Sequence, residues 1–170
     1  FIEQCLNCKC LFVFPSSTSV YGKSTDIVYE DDYSVINPQS FYGEAKYKIE
    51  DYLTYATIMS SKMSMLILRL GTVAGISMGM RFQTAINSFC YKAAFNQPLT
   101  IWKENYEQMR PYLSLQDLTS ALCMLIEKPS CWNNVYNVVT QNIKLSDIIE
   151  YIQNIIPIEI ELGFIRIPNN

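Results

Sequence analysis

No histidine occurs among the 170 residues, so no imidazole is on hand as a general base. Proton transfer must then fall to a carboxylate, lysine, tyrosine or cysteine. Glycine is scarce as well. There are six, none arranged as Gly-x-Gly-x-x-Gly or Gly-x-x-Gly-x-x-Gly, so these residues lack the turn that seats a pyrophosphate at a helix N-terminus. Basic runs are missing and the net charge is −3, which argues against nucleic acid or an anionic membrane as partner. The longest apolar stretch, Met63 to Ile76, is interrupted by Ser64, Arg69 and Thr72, and it falls short of the ~20 residues that span a bilayer. No secretory signal is visible. What is present is globular in type: 49% hydrophobic and 17% charged residues, in a chain long enough to bury a core.

Six cysteines raise the question of metal or disulfides, and Cys5-x-x-Cys8-x-Cys10 points to the first. Zinc sites usually want four ligands, often including histidine. Cys10 also lies in an apolar strand and Cys5 in an amphipathic helix end. Free cysteines in a reducing cytosol are the expectation, with no metal and a cytoplasmic location.

Phe1 to Asn7 reads as the last turns of a helix, and Cys10 to Phe14 as a short buried strand stopped by Pro15. The strand runs into Ser16-Ser17-Thr18-Ser19-Val20-Tyr21-Gly22. A hydroxyl cluster at a strand end is where an open α/β sheet places its ligand crevice. An acidic, turn-rich stretch from Thr25 to Asn37 then reads as a solvated loop. Pro38-Gln39-Ser40 opens a helix from Tyr42 to about Met59, with apolar positions at Ala45, Ile49, Tyr52, Leu53 and Ala56. Tyr42 and Lys46, four apart, share one face of it. A phenol beside an ammonium is chemically loaded, because a nearby cation favours the ionised form of a group that otherwise titrates near ~10.

The order of these parts is specific. With "SSTSVYG" at the strand end and "PQSFYGEAK" opening the helix, the chain resembles the extended short-chain dehydrogenases/reductases of the NAD-dependent epimerase/dehydratase family, UDP-glucose 4-epimerase-like, which act mostly on nucleotide-activated sugars. The resemblance implies an α/β fold: the second half of a doubly wound Rossmann-type parallel sheet plus a small α/β substrate-binding lobe. Residues 1–75 would carry the later part of the NAD(P)-binding domain. Residues 76–170 would be mainly the nucleotide-sugar lobe, with interleaved Rossmann elements. The first βαβαβ half is expected to be missing from this chain.

By match of position, Tyr42 would be the catalytic acid/base, and Lys46 would tune it and hold the nicotinamide ribose. Ser17 would hydrogen-bond the reacting oxygen, with Thr18 as a second hydroxyl beside it. Ser16, Tyr42, Lys46 and Leu70 would line the cofactor, NAD ahead of NADP. The substrate would meet Ser17, Thr72, Arg81, Asn87, Trp102 and Arg110. Thr72 stands where the family has asparagine in Arg-x-x-Asn-x-x-Gly, here Arg69 to Gly75. Arg81 and Asn87 either reach ligand or lie on the surface. Arg110, in Arg-Pro-Tyr-Leu-Ser-Leu-Gln-Asp, would clamp the diphosphate, as a guanidinium fork matches phosphate oxygens. A homodimer through the Tyr42 helix is the expected assembly.

Further along, Ser64 to Leu70 reads as a buried strand ending at Gly71, joined to the first by a parallel crossover. A helix is expected over Met78 to Asn96, a strand over Leu99 to Trp102, a helix over Asp117 to Lys128 and a strand over Val135 to Val139. A last helix, capped by Ser146, runs through Ile156. The tail from Pro157 is ambiguous. The expected function is NAD(P)-dependent epimerisation of a nucleotide sugar. Family dehydratases usually carry an acidic pair or Ser-Glu after the catalytic hydroxyl, where this chain has Thr18 and Ser19. A ketosugar reductase is therefore the nearer alternative and a dehydratase the further one. From another class, the chain would be an inactive fragment or a non-catalytic binding relative.

Overall fold

In a computed structural model of the chain, residues 2–23, 27–60 and 63–163 are described. In chain order the first elements are helix α1 (Ile2–Cys8), strand β1 (Leu11–Ser17), helix α2 (Phe41–Met59), strands β2 (Ser64–Leu70) and β3 (Thr72–Ala74), and helix α3 (Ala85–Ala94). Strand β4 (Leu99–Trp102), helix α4 (Lys103–Tyr106), strand β5 (Met109–Ser114) and helix α5 (Leu115–Glu127) follow. Strands β6 (Asn134–Val138) and β7 (Gln141–Lys144), helix α6 (Leu145–Ile155) and strand β8 (Ile160–Gly163) complete the order. Two compact units result, one from residues 1–71 and 116–139, the other from 72–115 and 140–170.

The first unit is a parallel sheet in the order β1-β2-β6, with α2 as the crossover from β1 to β2. The register runs from Leu11 opposite Ser64 to Ser17 opposite Leu70, so β1 and β2 end level. β2 is central, and Met65 through Arg69 are all buried, as a parallel strand covered on both faces requires. The core on one side gathers Phe14, Leu53, Met63, Met65 and Ile67, with Ile2, Cys5, Phe12, Ala56 and Val135 packed against it. Helix α2 contributes Leu53 and Ala56 to it.

The second unit contains a three-stranded sheet, β3-β5-β7, parallel on one side of β5 and antiparallel on the other, and a parallel pair, β4-β8. Phe89 and Ala93 of α3, Leu99 and Ile101 of β4, Tyr112 of β5, and Leu145, Ile148, Ile149 and Ile152 of α6 form its core.

Three expectations need correction, and the ambiguous tail acquires a place. β1 does not stop at Pro15 but continues to Ser17. Among the described residues it is an edge strand, where proline's missing donor costs the ladder nothing. Helix α3 begins at Ala85, not Met78. Residues 78–84 form turns instead, locked by the Asn87 amide, which accepts from Gly75 N at 3.2 Å and donates to the Arg81 carbonyl at 3.1 Å. Ser146 is not a cap: α6 already includes Leu145, with Lys144 at the cap position and no side-chain cap bond. The tail contributes a strand, β8, paired to β4.

Thr25 and Asp26, part of the loop read as solvated, lie outside the described residues, as do residues 164–170 of the tail. All six cysteines are free, and no group of three or more metal-ligating side chains occurs among the described residues. No helix among those residues is long and apolar enough to cross a membrane.

Candidate active site

β1 delivers its last residues into a short 3-10 turn, Thr18–Tyr21. The Ser17 hydroxyl caps that turn, accepting from Ser19 N at 3.2 Å and donating to Ser19 Oγ at 3.0 Å. Thr18 Oγ1 donates to the Leu70 carbonyl at 3.3 Å and so ties the turn to the end of β2. Gly22 closes it at φ +68°, in the left-handed region, and an added Cβ would lie 2.0 Å from the Asn37 carbonyl oxygen. No other residue type fits there without moving the backbone.

Helix α2 starts against this turn. Ser40 caps it, accepting from Gly43 N at 3.1 Å. Gly43 is buried, and an added Cβ would stand 2.8 Å from the Ser19 carbonyl oxygen. The glycine after Tyr42 thus lets the helix come within backbone contact of the hydroxyl turn. Lys46 Nζ donates to the Pro15 carbonyl at 2.7 Å and lies 4.9 Å from the Phe14 ring centre and 5.6 Å from that of Tyr42. The Tyr42 side chain is 57% exposed. Ser17, Thr18, Tyr42, Lys46 and the Leu70 carbonyl are thereby gathered at the carboxyl end of β1 and β2, the crevice side of an open sheet.

Ser16 is placed differently from its neighbours. It is buried, and its hydroxyl donates to the carboxylate of Glu50, two helical turns beyond Tyr42. Glu50 in turn takes Arg69 Nη2 at 2.8 Å and Nε at 3.1 Å. Arg69 Nη1 donates to the Tyr21 phenol at 2.7 Å and to the Glu30 carbonyl at 3.3 Å. Tyr21 donates to Asn137 Oδ1 at 2.8 Å, and Asn137 N donates to the Glu30 carboxylate at 2.9 Å. Burial works against the Arg69 charge, but Glu50 and Tyr21 outweigh it and hold the guanidinium above its ordinary value. Glu50, Arg69 and Tyr21 were not assigned a role from sequence. The signal was there: an arginine inside the apolar run Met65 to Leu70 must be paired.

The five remaining substrate candidates fall in the second unit. Thr72 is half-buried in β3. The Asn87 side chain is buried and committed to Gly75 and Arg81 backbone, as described. Arg81 is exposed, and Trp102, 46% exposed at the end of β4, packs its ring near Gly163. Arg110 is exposed on β5, with Nη2 donating to Gln108 Oε1 at 2.6 Å. Burial pushes the neighbouring Tyr112 phenol up, while the Arg110 charge pulls it the other way.

A model of the NAD dependent epimerase/dehydratase family matches residues 1–138. The chain belongs to the NAD-dependent epimerase/dehydratase family. Solved structures agree on the fold. Pal from Bacillus thuringiensis is 24% identical, with a TM-score of 0.83 over 98% of this chain and 53% of that one. A UDP-glucuronic acid 4-epimerase from Bacillus cereus, in complex with a fluorinated UDP-sugar and NAD, is 24% identical, with a TM-score of 0.82 over 96% and 52%. The dTDP-glucose 4,6-dehydratase of Bacillus anthracis, in complex with NAD, is 17% identical, with a TM-score of 0.84 over 97% and 53%. The chain therefore spans about half the length of these family structures.

Proposed function

We propose that this member of the family serves an NAD-dependent nucleotide-sugar epimerase, in which Tyr42 exchanges a proton with a sugar hydroxyl. The observation that carries the reading is the backbone approach of Gly43 to Ser19, with Lys46 anchored on Pro15, which brings the Tyr42 face of α2 to the Ser17 turn. The donor set fits a nicotinamide ribose: Lys46 keeps two N–H groups beyond the one given to Pro15, and the Tyr42 hydroxyl lies on the same helical face. Bound NAD would supply the acceptor and donor of hydride.

The chain's own residues do the rest. With sugar bound, Ser17 would turn its hydroxyl from Ser19 Oγ to the sugar oxygen, and Tyr42 would remove and return the sugar's proton. Lys46 keeps its ammonium 5.6 Å from the Tyr42 ring centre, on the same face of α2. Thr18 and Ser19 stand where family dehydratases carry acids; here Thr18 donates its hydroxyl to the Leu70 carbonyl and Ser19 Oγ accepts from Ser17. No titratable group stands on the turn itself between Ser17 and Val20, which favours epimerisation over dehydration. The test is incubation of the full-length protein with NAD and UDP-hexoses or UDP-hexuronic acids, followed by proton NMR of the sugar. An epimer with no net NADH is expected; a dehydrated sugar, or stoichiometric formation of NADH, overturns the reading.

Arg110 is the proposed diphosphate clamp. Arg110→Ala should weaken UDP binding by roughly 2 to 3 kcal/mol, the scale for charge-assisted hydrogen bonds, and leave NAD affinity unchanged. Lysine should restore only part, since it supplies charge without the fork. Calorimetric titration of UDP and dTDP decides it, and equal affinity in all three proteins would leave Arg110 without a ligand role.

A further inference from the structure

The buried chain of polar groups around Arg69 has no part in the proton exchange described above, yet it touches every element that carries that exchange. Tyr42, Lys46 and Glu50 are spaced four apart and lie along one stripe of α2. Ser16, bonded to Glu50, immediately precedes Ser17, while Tyr21, bonded to Arg69, ends the turn that begins with Thr18. The hydroxyl turn is therefore held at both ends, and the two ties meet in one ion pair. Arg69 closes the figure from β2, where the register sets it directly beside Ser16.

Stability gives no reason to keep such a pair. Desolvating two charges costs about as much as their attraction returns, and apolar side chains of equal volume would fill the space as well. What apolar side chains lack is direction. A guanidinium fork received by a carboxylate fixes angle as well as distance.

We propose that Glu50 and Arg69, with Tyr21, are positioning residues for the acid/base centre: they set the separation between the Ser17 turn and the Tyr42–Lys46 face of α2 without touching substrate. This rests on the reading of Tyr42 given above. Three variants of the full-length protein test it: Tyr21→Phe, the double variant Glu50→Leu with Arg69→Met, and Tyr42→Phe as the reference for loss of chemistry. Melting temperature, kcat and KM for a UDP-sugar, and amide hydrogen exchange over residues 17–22 are measured for each.

Tyr21→Phe and the double variant should keep their melting temperature and KM and lose on the order of 10²-fold in kcat, the scale of a misplacement by an ångström. Exchange over residues 17–22 should quicken in both. A double variant that regains wild-type kcat along with its stability overturns the proposal, because the pair is then only packing. Should the double variant fail to fold, Tyr21→Phe decides alone, and unchanged kcat and exchange in it are equally fatal. Full turnover in Tyr42→Phe instead sinks the reading of the site. Exchange over residues 17–22 then still decides whether the pair positions the turn.

Discussion

Tyr42→Phe should fold as the wild type does, bind NAD and UDP-sugar with unchanged affinity, and lose about 10² to 10⁴ in turnover, the usual contribution of a positioned acid/base. The substitution removes one oxygen from a side chain that is more than half exposed, so no core contact is lost. The ring stays beside Lys46, whose anchor on Pro15 does not involve the phenol. With no histidine anywhere in the chain, few other groups are available to take over the proton. Within the first unit the side chains gathered at the site offer only hydroxyls besides Lys46, and a hydroxyl of serine or threonine is a poor base at neutral pH. Single-turnover and steady-state rates with a UDP-sugar check the prediction. Near-wild-type turnover would remove Tyr42 from the mechanism and leave Ser17 or Lys46 to explain any activity.

The elements that position this site were legible because their signals are local. β2 stands out as an apolar run bounded by Gly71, and α2 as a capped segment with helical spacing, and both appear with nearly the expected bounds. The parallel pairing of β1 with β2 follows from having a helix between them. The second unit was harder to read for a physical reason. β3 and β7 are three and four residues long, too short to show alternation, and β8 acquires its partner from β4 some sixty positions earlier. The start of α3 was misplaced because Phe82 continues the apolar spacing, whereas the Asn87 amide, bonded to backbone at Gly75 and Arg81, decides where the helix begins. A side-chain-to-backbone lock of that kind leaves no periodic trace. Among site residues, the Tyr42–Lys46 spacing was visible at once. Glu50, one turn further, was not singled out, because an acidic residue on a helix usually lies on its solvated face. Only the fold shows that this one is buried.

Removing the Arg69 side chain alone should cost far more than removing the pair. Arg69→Met fills most of the volume but leaves the Glu50 carboxylate, 3% exposed, with the Ser16 hydroxyl in place of a cation. Breaking a buried pair in this way typically costs about 3 to 5 kcal/mol, against a total stability of roughly 5 to 15 for a domain. The Tyr21 phenol would lose its donor at the same time and keep only the bond it gives to Asn137. The contrasting case is Lys144→Met, which breaks the solvent-exposed contact with Glu107 and should leave unfolding essentially unmoved. Urea unfolding followed by circular dichroism compares the two, with the m-value as a check that the unfolded state is unchanged. A drop in the Arg69→Met midpoint no larger than that of Lys144→Met would mean that water reaches Glu50 once the guanidinium is gone. The ion pair would then lie in a wetter place than its burial indicates, and its directional hold on Ser16 and Tyr21 would weaken by the same measure.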